Sequence, residues 1–335
     1  YNELAGEAGM EKVQVRKSPV DVIAVAEELK EHMGRSLVVS GTNDFHIQST
    51  VNAINYLLGN YGETIDLNNT FNLYKGDDQE MEQLTLRMES GDVDALICYG
   101  VNPVYDFVSA KRFTGGMKTV GLTVSFSPVM DETASLCQYV LPDNHYLESW
   151  NDAEPKKNHF SLYQPTIPKI FNTRQAQQSM LIWGGSKKDY LGFMKSFWKE
   201  NIFTQQNLIS SFDHFWNQCV HDGIYALPAE EQVQPAFAPQ DLTEGNTATH
   251  DGWELVIYEK MSLGDGRNAN NPWLQEMPDP ISSAVWDNYV CIAPSDAEEL
   301  GLKNEDVVLV DGNIKLPVYV QPGQAKKTIG IACGY

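Results

Sequence analysis

The chain has 335 residues, with 45 Asp and Glu against 24 Lys and Arg, a formal net charge of −21. At roughly 150 residues per domain this length suggests about two domains, and an apolar fraction of 42% excludes a disordered chain. The charge makes nucleic acid an unsuitable partner, and neither a membrane-spanning apolar run nor a signal peptide is found.

Residues 18–34 carry the marks of a helix. Ser18 serves as N-cap, Pro19 suits the first turn and Gly34 the stop. Leu37-Val38-Val39 reads as a short buried strand ending in the turn Ser40–Asp44, and a second helix follows with Ile47, Val51, Ile54 and Leu58 on one face. The grammar then repeats. A helix over 78–89 precedes a strand over 95–99, and a short helix near 105–112 precedes a strand over 119–126. A helix near 130–137 leads to a strand over 138–141. Such alternation predicts an α/β domain with a doubly wound, mostly parallel sheet of at least four strands.

The strands end in Gly41-Thr42-Asn43-Asp44, Gly100-Val101-Asn102, Ser125-Phe126-Ser127 and Pro142-Asp143-Asn144. Ligands of open parallel sheets bind beyond the carboxyl ends of the strands, so these loops are expected to share an edge and line a polar groove. Gly and Asn are also plain turn formers, which is the competing reading of each loop alone.

Residues 187–222 are rich in aromatics at helical spacing and read as core. Residues 227–251, broken by Pro228, Pro235, Pro239 and Gly245, read as a linker. Strands are expected at 253–258, 289–292, 307–310, 316–320 and 328–332, with one short helix at 295–300; this pattern predicts a small β-barrel. The expected organisation is an α/β domain over 1–200, a helical segment and linker over 201–251, and a barrel over 252–335. Both ends read as cut from a longer polypeptide.

The five cysteines, Cys98, Cys137, Cys219, Cys291 and Cys333, are scattered without a CxxC pair, so no iron–sulfur or zinc site is expected. Gly264–Ala269 matches G-x-G-x-x-A, but Asn270-Asn271-Pro272 follows where a helix is needed. Asp143, His145 and Glu148 lie close together without a nucleophile on an elbow.

The stretch Leu141-Pro142-Asp143-Asn144-His145-Tyr146-Leu147-Glu148-Ser149-Trp150, continuing to Ser161-Leu162-Tyr163-Gln164-Pro165, resembles a segment of the molybdopterin oxidoreductases. Asn52 to Gly62, Gly100 to Pro103 and Ala293 to Leu302 resemble further pieces of that family in the same order. The wording of 143–167 and 264–280 is closest to the branch of the fused molybdopterin-like and iron–sulfur subunit of alternative complex III, a bacterial quinol-oxidising respiratory complex. The resemblance implies a molybdopterin-dinucleotide-binding-like fold. Its enzymes carry a molybdenum or tungsten bis(molybdopterin guanine dinucleotide), whose metal ligand and N-terminal Fe–S site would lie outside this stretch. It further implies subunits handling cytochrome c and quinol as partners, no direct membrane insertion, and a place on the periplasmic side of the inner membrane.

The chain departs from the catalytic pattern after Glu148. Trp150 stands where a small residue is usual, and Phe160 to Gln164 replaces an end that carries Arg, a bidentate anion partner. We therefore expect a non-catalytic scaffold with no catalytic or metal-binding residue and no cofactor in this stretch. A vestigial pterin–nucleotide groove is expected at Gly41, Thr42, Asn43, Asp44, Gly100, Asn102, Ser125, Asp143, Glu148 and Gln164, plugged by Trp150 and Tyr163. The alternatives are part of an active molybdopterin enzyme, or an unrelated acidic module that binds small molecules.

Overall fold

A computed structural model describes residues 1–6, 12–13, 21–73, 76–227 and 252–335. The linker expected over 227–251 lies, beyond Leu227, outside the described residues. Two compact units are formed, Tyr1–Gly245 and Asn246–Tyr335.

In the first unit, helices α1 (Asn2–Ala5), α2 (Val22–Glu31) and α3 (Phe45–Leu57) gather around Leu4, Ala26 and Leu58. Asp21 caps α2, its carboxylate accepting from the backbone N–H of Ile23 and Ala24; the expected cap Ser18 and Pro19 lie outside the described residues. The strand expected at 37–39 is absent from the sheet. Val38 N–H donates to Asn55 Oδ1 at 3.0 Å, and Asn55 Nδ2 donates to Val38 O at 2.8 Å. A buried amide side chain thus takes both backbone groups that a neighbouring strand would have used.

Helix α4 (Asp78–Glu89) leads to β1 (Ala95–Cys98). Helices α5 (Pro103–Asp106) and α6 (Ala110–Met117) cross to β2 (Leu122–Ser125), and the chain reaches β3 (Tyr139–Val140) through a 3₁₀ turn, Ala134–Leu136, where a longer helix was expected. The three strands run parallel in the order β1-β2-β3, with Leu96 opposite Thr123 and Val124 opposite Tyr139. Among the described residues the sheet therefore has three strands, where at least four were expected. Leu96 and Cys98 of β1 pack with Met88 of α4 and with Phe113 and Met117 of α6.

Gly116 lets α6 approach α4: a Cβ there would stand 2.9 Å from Met88 Cβ, and Met88 is fully buried. Gly116→Ala is expected to cost about 1–3 kcal/mol by overpacking, read as a lower urea midpoint with unchanged slope.

Strands β4 (Asn151–Lys156) and β5 (His159–Tyr163) form an antiparallel hairpin, with Asn158 at φ 64°, and β6 (Ile224–Ala226) joins β5. Helices α7 (Ala176–Trp183), α8 (Tyr190–Phe197) and α9 (Phe212–Asp222) belong to the same unit, and α8 runs into a π-helical turn, Trp198–Ile202. The aromatic stretch forms a core, as its spacing predicts: Trp198, Phe215 and Trp216 are buried with Met194 and Leu162. Trp198 Nε1 donates to Asp152 Oδ2 at 2.6 Å.

In the second unit, β7 (Glu254–Tyr258), α10 (Pro272–Gln275), β8 (Val290–Ile292), α11 (Pro294–Leu300), β9 (Val307–Val310), β10 (Ile314–Val320) and β11 (Thr328–Ala332) build a five-stranded sheet in the order β7-β11-β8-β10-β9. Strand β11 runs parallel to β7 and antiparallel to β8, and β10 runs parallel to β8. The sheet is open, with β7 and β9 as its edges, so the expected barrel is not closed. Ala297 of α11 packs on Val290, Ile292 and Val318, so a helix covers one face of the sheet. Buried Lys260 donates to the Tyr335 hydroxyl at 2.7 Å and lies 4.0 Å from the Tyr289 ring centroid.

Candidate functional site at the carboxyl edge of the parallel sheet

Parallel strands with helical crossovers bring their carboxyl ends to one edge, here Cys98, Ser125 and Val140. The segments beyond them are locked together through their backbones. Phe126 N–H donates to Cys98 O at 2.9 Å, Leu141 N–H to Ser125 O at 2.8 Å, and Asp143 N–H to Phe126 O at 3.2 Å.

Gly100 takes φ +65°, the left-handed turn that carries the chain off β1. Two residues on, Asn102 ties this loop to the one after β2. Its Oδ1 accepts from Thr133 N at 3.1 Å and Thr133 Oγ1 at 2.7 Å, and its Nδ2 donates to Glu132 Oε2 at 2.7 Å. Ser125 is buried, its hydroxyl accepting from Ser127 N–H at 3.1 Å. The Asn102 amide is thus spent on the neighbouring loop and the Ser125 hydroxyl accepts from its own.

Asp143 and Glu148 behave alike. Asp143 Oδ1 accepts from Ala176 N, the first residue of α7, and from Asn144 N, both at 2.8 Å. Glu148, 9% exposed, accepts from His145 N–H through Oε2 and from Ile170 N–H through Oε1, each at 3.1 Å. With His145 Nδ1 accepting from Leu147 N–H, this forms a capping box around the turn Tyr146–Glu148.

Tyr99, Glu132, Thr133 and Gln177 also belong to this edge and were missed by sequence reasoning. Gln177 Nε2 donates to the Tyr99 hydroxyl at 2.8 Å, and the Tyr99 ring meets Phe126 edge-on at 6.3 Å. Burial, and then the neighbouring Asp143, push the Tyr99 phenol up. The readable signal was Tyr99 directly after β1; nothing in the sequence marks Gln177.

Other expected members fall elsewhere. Leu37–Val39 is not a strand of the sheet, so the topology does not bring Gly41–Asp44 to this edge. Their hydrogen bonds close on α3 instead: Asp44 Oδ1 accepts from Ile47 N at 2.9 Å, Thr42 Oγ1 accepts from Asp44 N at 3.2 Å, and Gln48 Nε2 donates to Thr42 O. Gln164 is exposed just beyond β5. Trp150 packs on Trp216 in the aromatic core at 6.3 Å, and Tyr163 is 39% exposed.

Burial raises the pKa of Asp143 above the usual carboxylate range, against the opposing pull of the Ala176 and Asn144 N–H groups. The folded chain then holds this proton more tightly than the unfolded chain. The associated stability is complete below the ordinary carboxylate value and is lost as pH rises through the elevated folded value. Asp143→Asn keeps an oxygen for both N–H donors and removes the ionisation. It should gain stability on the parent at neutral pH, and the gain should vanish by about pH 3. Urea midpoints of both proteins at stepped pH check this; a difference independent of pH would contradict it.

A molybdopterin guanine dinucleotide carries a pyrophosphate, which binds where helix N-termini and loops offer unpaired backbone N–H groups. Here the Ala176 N–H is taken by Asp143, and the His145 and Ile170 N–H groups by Glu148. These three N–H groups are already taken by carboxylate oxygens and do not offer themselves to a pyrophosphate.

No family model matches the chain. It is 22% identical over 250 residues to the menaquinone reductase molybdopterin-binding-like subunit of Nitratidesulfovibrio vulgaris, covering 72% of this chain and 36% of the relative. The chain thus spans little more than a third of the length of that relative. Among solved structures it is similar to the acetylene hydratase of Pelobacter acetylenicus, with a TM-score of 0.54 and 17% identity, over 75% of this chain and 39% of that one. In sequence and in fold alike, the chain is molybdopterin-oxidoreductase-like.

Proposed function

We propose that this chain is a non-catalytic, molybdopterin-oxidoreductase-like scaffold in a membrane-associated respiratory electron-transfer complex. In this reading it docks the subunits that exchange electrons with quinol and cytochrome c on the periplasmic side, as in complexes of the alternative complex III type. The observation that carries it is the pair of carboxylates at the sheet edge: Asp143 and Glu148 hold the amide donors that a cofactor pyrophosphate would need. The relative's name, a molybdopterin-binding-like subunit of a menaquinone reductase, supports the same reading. No helix among the described residues is long and apolar enough to cross a membrane.

The test is compositional. Purified full-length protein should contain no stoichiometric molybdenum or tungsten and release no fluorescent oxidised pterin, and guanosine diphosphate should give no saturable heat in titration calorimetry. About one metal per chain, or saturable micromolar binding of the nucleotide, would restore the reading of an active molybdopterin oxidoreductase.

A further inference from the structure

We propose that Trp150, Trp216 and Trp198 form a conduit for single-electron oxidation, ending at Trp198, whose indole proton is passed to Asp152. The three rings belong to the aromatic core, although Trp150 follows Glu148 by two residues.

The geometry is continuous. Trp150 is half-buried and stands 6.3 Å, centroid to centroid, from Trp216; Trp216 stands 5.7 Å from Trp198, edge to face. Rings this close are in near-contact, so an electron vacancy needs no long step between them. Trp198 is 0% exposed, and its Nε1 donates to Asp152 Oδ2 at 2.6 Å, a short charge-assisted bond.

The local charges favour the inner end. Lys195 Nζ lies 5.4 Å from the Trp216 ring centroid, and a cation there disfavours a positive ring. Trp198 has a carboxylate at its N–H instead. Burial raises the pKa of Asp152, which makes it a readier proton acceptor. A core that needed only bulk would be met by a phenyl ring and would spare a buried carboxylate its desolvation cost.

The chemistry balances as follows. A strong one-electron oxidant, such as an over-oxidised metal centre or an oxygen-derived radical, takes one electron from Trp150 and is itself reduced by one electron. Trp216 and then Trp198 each give up an electron to refill the outer ring. The oxidised Trp198 indole releases its Nε1 proton to Asp152 Oδ2, which leaves a neutral indolyl radical and a protonated carboxyl. A small thiolate returns one electron and becomes a thiyl radical, and the proton goes back from Asp152 to Nε1. The group this conduit serves is thus a one-electron oxidant rather than a bound substrate.

The test uses the full chain with Trp183, Trp253, Trp273 and Trp286 replaced by Phe; all four are exposed and lie outside the conduit. The probe is a ruthenium polypyridyl complex, oxidised in a laser flash by a sacrificial electron acceptor. Transient absorption should show a neutral indolyl radical whose formation slows in D2O, with a protonated carboxyl band in the infrared. Asp152→Asn keeps an oxygen to accept from Nε1, and near-UV circular dichroism verifies its fold. In that variant the neutral radical and the carboxyl band should both be lost, leaving a short-lived radical cation. Trp198→Phe should strand the vacancy on Trp216 and Trp150. The proposal is overturned if no tryptophan radical forms, if the neutral radical persists in Asp152→Asn, or if Trp198→Phe leaves the signal unchanged.

Discussion

Trp198→Ala is expected to destabilise the first unit by about 3–5 kcal/mol, the usual cost of emptying a large aromatic site in a core. Trp198 is fully buried between Phe160, Phe215 and Trp216, with ring centroids at 6.0, 6.4 and 5.7 Å. Its removal opens a void lined by rigid rings from β5 and α9, which cannot collapse inward without leaving their own rotamers. It also strips Asp152 of the indole donor that offsets part of its desolvation. Trp198→Phe separates the two contributions: it keeps most of the packing and costs about 1–3 kcal/mol, mainly through the unpaired carboxylate. Urea unfolding followed by far-ultraviolet circular dichroism ranks the three proteins, and equal losses for Ala and Phe would show that the hydrogen bond, not the volume, governs this site.

The second large effect is expected at Asn55, which is 2% exposed. Its side chain makes both bonds to Val38, and its Oδ1 also accepts from Asn60 Nδ2 at 2.8 Å. Asn55→Ala takes the acceptor from the buried Asn60 Nδ2 and leaves the half-buried Val38 N–H and C=O without partners, at a cost of about 2–3 kcal/mol. Hydrogen exchange at Val38 should accelerate in parallel with the loss of stability. Unchanged exchange would mean that the segment is held by its apolar side chains alone.

That same asparagine shows where the sequence could be read and where it could not. Strands at 95–98, 122–125 and 139–140 announce themselves because apolar, β-branched runs end in small turn residues, and their pairing follows from the helices between them. Leu37-Val38-Val39 carries the same local signal. What decides its fate is a side chain on the following helix, a contact that no periodicity encodes. The closed barrel is not found for a related reason: strand count and spacing do not report which strands become edges. At the site, topology places Gly100, Asn102, Ser125 and Asp143 at or beyond the carboxyl ends of the three strands. The role of Glu148 was partly legible, since His145 and Glu148 have capping-box spacing. Its second bond, to Ile170 N–H, crosses 22 positions and lies beyond local reading.

The strand order of the second unit carries a consequence for how the protein is made. Among the described residues, strand β7 pairs with β11 alone, and β11 lies between β7 and β8. During synthesis, β8, β9 and β10 can join one another as soon as they leave the ribosome, whereas β7, made first of the five, has no partner until Thr328–Ala332 emerges. Contacts this distant in sequence form slowly, and until they do Leu255, Val256 and Ile257, all about half-exposed or more even in the finished sheet, remain an open, adhesive edge. A ribosome stalled or a message truncated shortly before Thr328 would therefore release a chain with that strand permanently unmatched, a natural substrate for chaperones and proteases.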